Sequence, residues 1–259
     1  MKKRVLKTVA LCLAIVLIAG VLICANMLVG NPVSHLLARH TAEKHLEENY
    51  PGTDYEIEKV VFDFKMGTGY MVYLTSPSNI DGDFYLLVSS LGKLERDTYS
   101  SKVEGHMNAA RRLMDEYAIL VDSVINTSAY PYTVYSSYGS LNFFDYEFDS
   151  PNFIKMSELE NNRIYDVGEL GETNGSIHLY IHSDTVTYKM AAEILLKTRE
   201  MMDKAGVCFY SISLTLTTPP RDGEATSHYG NTIYVNDFLY ADIYESGLEE
   251  RIAKCAEKP

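Results

Sequence analysis

Three histidines, His35, His40 and His45, stand five residues apart in the stretch SHLLARHTAEKHLEENY, residues 34–50. Imidazoles at regular spacing are where a metal or proton-handling site would start. The spacing argues against one here. A helix turns about 100° per residue, so positions five apart lie roughly 140° apart and three of them wind around the cylinder. The two-histidine zinc pattern needs positions i and i+4 with a glutamate beside the first, and this stretch lacks it. His40 shares a face with Glu43 and Glu47, which reads as a solvated surface with helical pairs whose charge changes below about pH 6.5.

A second pair, His178 and His182 in IHLYIHSD, falls on one face of a strand with Tyr180, opposite Ile177, Leu179 and Ile181. Four residues along a strand span about 13 Å, too far for one zinc ion. The pair therefore reads as the polar face of a half-buried strand, open to a site completed by a residue from elsewhere. SNIDGDF has the look of a calcium loop. With Gly82 sixth, however, the loop requires a carboxylate where Pro77 stands and a glutamate where Val88 stands, so Asp81-Gly82 reads as a hairpin turn. SLGK, residues 90–93, matches S-x-x-K but lacks a K-T-G companion, and its serine closes a strand. G-x-S-x-G, P-loop and G-x-G-x-x-G patterns do not occur, and no metal or cofactor pattern stands.

Asp145, Glu147 and Asp149 lie among aromatic residues, leaving a pair of acids for glycoside chemistry open. The local bias that best fits a ligand or partner surface is aromatic: Tyr130, Tyr132, Tyr135, Tyr138, Phe143, Phe144 and Tyr146. Tyrosine is enriched at binding surfaces, although strand packing is the plainer reading.

The elements that must position these residues follow from spacing. Asn31 as N-cap, Pro32 at the first position and Pro51-Gly52 as stop predict a helix over 32–50, with Ala38, Ala42, Leu46 and Tyr50 on one stripe. Strands at 55–64, 70–76 and 83–90 form an antiparallel meander. The 4-3 spacing of Val103, Met107, Ala110, Met114, Tyr117, Val121 and Val124 predicts an amphipathic helix over about 101–125, packed on a sheet. A strand follows at 140–148, preceded by the ambiguous AYPYTVYSSYG, and residues 151–175 give no clear pattern. A strand at 177–182, a helix at 187–204, a long strand from Gly206, the loop RDGEATSHYGN, a strand at 231–238 and a helix at 246–256 complete the chain. The class is α+β, with antiparallel sheets and helices on one face.

Residues 8–29 carry no charge and follow Lys2, Lys3, Arg4 and Lys7. That length suits a helix across a roughly 30 Å hydrocarbon core, with the N-terminus cytoplasmic and the bulk outside. A cleaved signal peptide is the rival, and a lipoprotein cysteine at Cys24 is another, but bulky Ile23 occupies a place where a small residue belongs. The expectation is an N-terminal transmembrane helix in a single-pass protein of the cell membrane, divided into 1–30, 31–126 and 127–259. The formal charge of −12 disfavours nucleic acid as a partner. Outside that segment only Cys208 and Cys255 remain, as one bridge or as two thiols.

Taken together, the anchor, NPVSHLLARHTAEKHLEENYPG, DFYLLVSSLGKLERDTY and VCFYSISLTL resemble the YfjL-like group of single-pass proteins of Gram-positive bacteria, almost end to end. Residues 31–100 are also similar to PepSY-type extracytoplasmic modules, which are associated with binding or inhibiting partners. Neither resemblance implies catalytic residues. The expected function is a membrane-anchored, extracytoplasmic binding or regulatory protein with a protein partner in the envelope, no cofactor and no catalysis. An envelope hydrolase whose acids or histidines assemble in three dimensions, and a structural subunit of a membrane complex, are the alternatives.

Overall fold

The structure, a computed structural model, describes residues 11–21, 24, 30–64, 69–143, 154–220 and 231–256. The chain forms two compact units, Met1–Asn108 and Ala109–Pro259.

The expected transmembrane helix is overturned. Among the described residues no helix is long and apolar enough to cross a membrane. Residues 11–21 are helical and exposed. Residues 8–10, 22–23 and 25–29 of that segment lie outside the described residues. An uncharged composition over residues 8–29 thus does not by itself make a span, and the single-pass localisation is corrected with it.

In the first unit, helix α1 (Pro32–Asn49) starts where Asn31 Oδ1 accepts from the Ser34 amide at 2.8 Å, satisfying one of the open N–H groups of the first turn. It lies by its small residues Ala38 and Ala42 against Tyr70, Val72, Leu74, Phe84, Leu86 and Val88. These come from alternate positions of strands β2 (Gly69–Ser76) and β3 (Asn79–Ser89), which pair antiparallel between β1 (Glu56–Asp63) and β4 (Leu94–Asp97). The strand β4 is additional to the three expected. The hairpin between β2 and β3 turns between paired Ser76 and Asn79. Asp81-Gly82, expected to be that turn, instead lies within β3, where Asn79 Oδ1 accepts from the Asp81 amide at 3.0 Å.

Helix α2 (Met107–Ile125), which belongs to the second unit from Ala109 onward, begins later than the spacing predicts. A π-helical turn at Ser100–Glu104 and a left-handed His106, φ 54°, interrupt the expected helix. Ala109, Leu113, Tyr117 and Val121 face inward, while Met107 and Met114 stay partly exposed at the rim. The sheet follows as β5 (Thr133–Leu141), β6 (Gly175–His182), β7 (Ser211–Thr217) and β8 (Thr232–Leu239), adjacent in that order. Helices α3 (Val167–Asn174), α4 (Tyr188–Ala205) and α5 (Leu248–Ala256) complete it.

The expectation of antiparallel sheets needs correction here. Strand β6 pairs β7 in parallel, because α4 intervenes and carries the chain back to the starting edge, as a strand–helix–strand crossover does. One sheet face is apolar: Ile177, Ile212 and Phe238 form one cross-strand row, and Leu179, Leu214 and Val235 the next. These rows share a core with Leu113, Tyr117 and Val121 of α2 and Ile194 and Leu195 of α4. The long helix, assigned by sequence to the first part, thus contributes its inward side chains from Ala109 onward to the core of the second unit.

Candidate functional site

The opposite face of the second sheet carries the polar and aromatic side chains. Reading across the strands, Ser140, Ser176, Ser211 and Leu239 form one row, and Tyr138, His178 and Ser213 the next. Ser136, Tyr180, Thr215 and Tyr234 form a third, and Thr133, His182, Thr217 and Thr232 a fourth.

Two β-bulges shape this face. Tyr135 and Tyr138 are three positions apart and would point to opposite faces of a regular strand. A register shift between Val134 and Ser136 inserts one extra residue, so both rings reach the same side. The Tyr135 ring stacks on His182 at 4.2 Å and 18°, and Tyr138 on His178 at 4.4 Å and 13°. The second shift lies opposite Ser213, where Asp237 is left-handed with φ 47°, a conformation aspartate tolerates better than most residues. Its amide donates to Ser213 Oγ at 3.0 Å, and that hydroxyl donates to Asp237 Oδ1 at 3.4 Å.

At the serine row the face opens into a cleft of about 460 Å³, bounded by Tyr138, Ser140, Asn142, His178, Ser211 and Asp237. Its floor is fixed by Asn174, which is buried and bonds Asn142 O at 3.1 Å while accepting from the Ile154 amide at 3.2 Å. Burial lowers the pKa of His178, opposed by the charge of Asp237. Burial, and next the neighbouring Tyr180, raise that of Tyr138. Both groups are therefore held toward the neutral form at neutral pH, and the cleft offers hydrogen-bonding groups more than charge.

Of the seven aromatic residues singled out by sequence, Tyr135 and Tyr138 lie on this face. Tyr130 is in the core, its hydroxyl 2.7 Å from Thr198 Oγ1 and its pKa pushed up by burial. Tyr132 is half-buried against the same core, and Phe143 is buried in it. Phe144 and Tyr146 lie outside the described residues, as do Asp145, Glu147 and Asp149. The segment is thus shared between core and surface. His178, Tyr180 and His182 join the face from the neighbouring strand, and the alternation of IHLYIHSD already indicated their common side.

The three histidines of α1 face different neighbours. His35 lies edge-on to Tyr70, and His40 is exposed. Glu43, expected beside His40, instead pairs with Arg39 at 3.0 Å. His45 Nε2 lies 2.7 Å from Asp97 Oδ2, the oxygen that also accepts from Tyr50 OH at 2.7 Å. Asp97 Oδ1 accepts from the Tyr99 amide at 2.8 Å, so one carboxylate ties the end of α1 to the end of β4. Sequence reasoning missed this contact because its partners are far apart along the chain.

Cys208 and Cys255 are free thiols. Burial, followed by the charges of Glu172 and Asp203, pushes the Cys208 thiol up, away from a reactive thiolate. Among the described residues no group of three or more His, Cys, Asp or Glu could hold a metal ion.

Two α+β units in series, the second with an open polar–aromatic sheet face, define the class of the protein. The YfjL-like N-terminal domain matches residues 5–110 and the YfjL-like C-terminal domain residues 116–253, so the chain belongs to the YfjL-like family. No curated protein matches it. Among solved structures, it is similar to a DUF5037 family protein from Ruminococcus gnavus ATCC 29149, at 12% identity over 85% of this chain and 99% of that one. The TM-score of 0.24 is too low for that likeness to carry an argument.

Proposed function

We propose that the chain is a binding protein without catalysis of its own, holding its ligand on the open face of the second sheet. The observation that carries the reading is the cleft of about 460 Å³ at the serine row, continuous with the Tyr138–His178 stack. A concave site with convergent polar groups beside aromatic rings is the usual form of a small-ligand pocket.

The wiring of Ser213, Asp237 and His178 favours binding over nucleophilic chemistry. A serine nucleophile of the Ser-His-Asp type needs an imidazole between itself and the carboxylate. Here the Ser213 hydroxyl donates directly to Asp237, and the imidazole of His178 stacks on Tyr138. Of the described residues bounding the cleft, Asp237 alone carries a carboxylate, whereas glycoside hydrolysis by the two-acid route needs a pair. The first unit, a helix on a meander, fits the PepSY-like partner-binding character suggested by its sequence and belongs to the same non-catalytic reading.

A thermal-shift screen of neutral saccharides, amines, carboxylates and phosphates tests the proposal. At least one class is expected to stabilise the native chain, with the shift lost in Tyr138→Ala and kept in His40→Gln, and with the ligand recovered unchanged. Chemical turnover of the ligand, abolished by His178→Ala or Asp237→Ala, would overturn it.

A further inference from the structure

We infer that the cleft at the serine row takes a neutral mono- or disaccharide, an inference that rests on the binding role proposed for this face. The groups bounding it are mostly hydroxyls and amides: Ser140 and Ser211, the Asn142 side chain and the Tyr138 phenol, together with His178 and Asp237. Hydroxyl and amide groups both donate and accept hydrogen bonds, as do the hydroxyls of a sugar.

Charge separates the ligand classes. None of the described residues bounding the cleft is lysine or arginine, and Asp237 contributes a negative charge. A phosphate or carboxylate ligand would meet no cation to offset its desolvation. An amine would find a single carboxylate, one oxygen of which accepts from Ser213 at 3.4 Å. It would also find a tyrosine face already covered, because His178 stacks on Tyr138 at 4.4 Å and leaves that side of the ring unavailable to a cation. An apolar ligand would strip water from the serines without returning hydrogen bonds. A neutral polyol satisfies them, and its C–H faces can pack beside the ring edges. The volume of about 460 Å³ lies within the range of small-molecule pockets.

Calorimetric titration of the full chain with maltose, cellobiose, lactose and diacetylchitobiose, beside glucosamine, glucuronate and glucose 6-phosphate, tests the inference. Saturable binding is expected for at least one neutral sugar and for none of the charged ones at the same concentration. Removing one hydrogen-bonding hydroxyl by Ser211→Ala or Tyr138→Phe is expected to weaken it about tenfold, while His40→Gln leaves it unchanged. Unaltered melting temperatures confirm that the variants are folded. Binding of a charged ligand instead, weakened by the same variants, overturns the saccharide class and leaves the binding face standing. Absence of binding by every neutral sugar likewise overturns the saccharide class. Neutral-sugar binding that is indifferent to both variants overturns the site as well.

Discussion

Exchanging Gly171 for alanine reverses the usual sign of this substitution. Inside an exposed helix, glycine to alanine stabilises by about 1 kcal/mol. In α3, a Cβ on Gly171 would stand 2.0 Å from the Cys208 carbonyl oxygen and 2.8 Å from its carbon, with Tyr117 Cε2 also at 2.8 Å. One side is backbone and the other a fully buried ring, so relief requires α3 itself to move. The move would disturb two hydrogen bonds, Tyr117 OH to Cys208 O at 2.8 Å and the Cys208 amide to Gly168 O at 3.0 Å. Overpacking costs about 1–3 kcal/mol and a lost buried hydrogen bond a similar amount. Against the helical gain, the expected net loss is about 3 kcal/mol for the second unit. Urea unfolding followed by tyrosine emission measures it, since the chain has 20 tyrosines and no tryptophan. An unchanged or higher midpoint would refute the packing of α3 against the Cys208 backbone. Because α3 leads into Asn174 and Gly175 at the cleft, Gly171→Ala should weaken ligand binding as well.

Further perturbations probe other links. Tyr117→Phe keeps the ring but leaves the Cys208 carbonyl without its hydroxyl donor, and should cost about 1–2 kcal/mol in the same unfolding assay. Asp97→Ala removes the acceptor shared by His45, Tyr50 and the Tyr99 amide, and should destabilise the first unit by about 2–3 kcal/mol, with increased hydrogen exchange at the end of α1. Asn31→Ala should cost about 1 kcal/mol through loss of the N-cap bond to Ser34. His178, facing Tyr138, Ser176, Ser213 and Asp237, has its pKa lowered by burial. Its contribution to stability is complete above about pH 6.5, where it is neutral in both states, and is lost as pH falls toward the lower folded value. His178→Gln should therefore reduce the fall in melting temperature between pH 7 and pH 5, and an identical pH dependence would count against the assignment.

Local signals were legible where local physics decides. Asn31, Pro32 and the four-residue spacing of Ala38 and Ala42 define α1 because capping and side-chain periodicity are properties of neighbours in sequence. Alternation likewise separated Ile177, Leu179 and Ile181 from His178, Tyr180 and His182. It could not say which strand lies alongside, so the parallel pairing of β6 and β7 was missed although the intervening helix was visible. Regular alternation also separates Tyr135 from Tyr138, and the bulge that reunites them has no simple sequence mark. The start of α2 was placed too early because Val103 continues the stripe. Its helical register is interrupted by the π-helical turn and by His106, whose backbone is left-handed. The Asp97 contacts depend on residues from α1 and β4 meeting in space, information no window of sequence contains.

The most direct test of the open face as the binding site is chemical-shift mapping on the isotopically labelled full chain, titrated with a small library of neutral polyols, amines and carboxylates. Perturbations are expected to gather at Tyr138, Ser140, His178 and Ser211, with α1 silent. Perturbations confined to α1, with the serine row silent, would contradict the account.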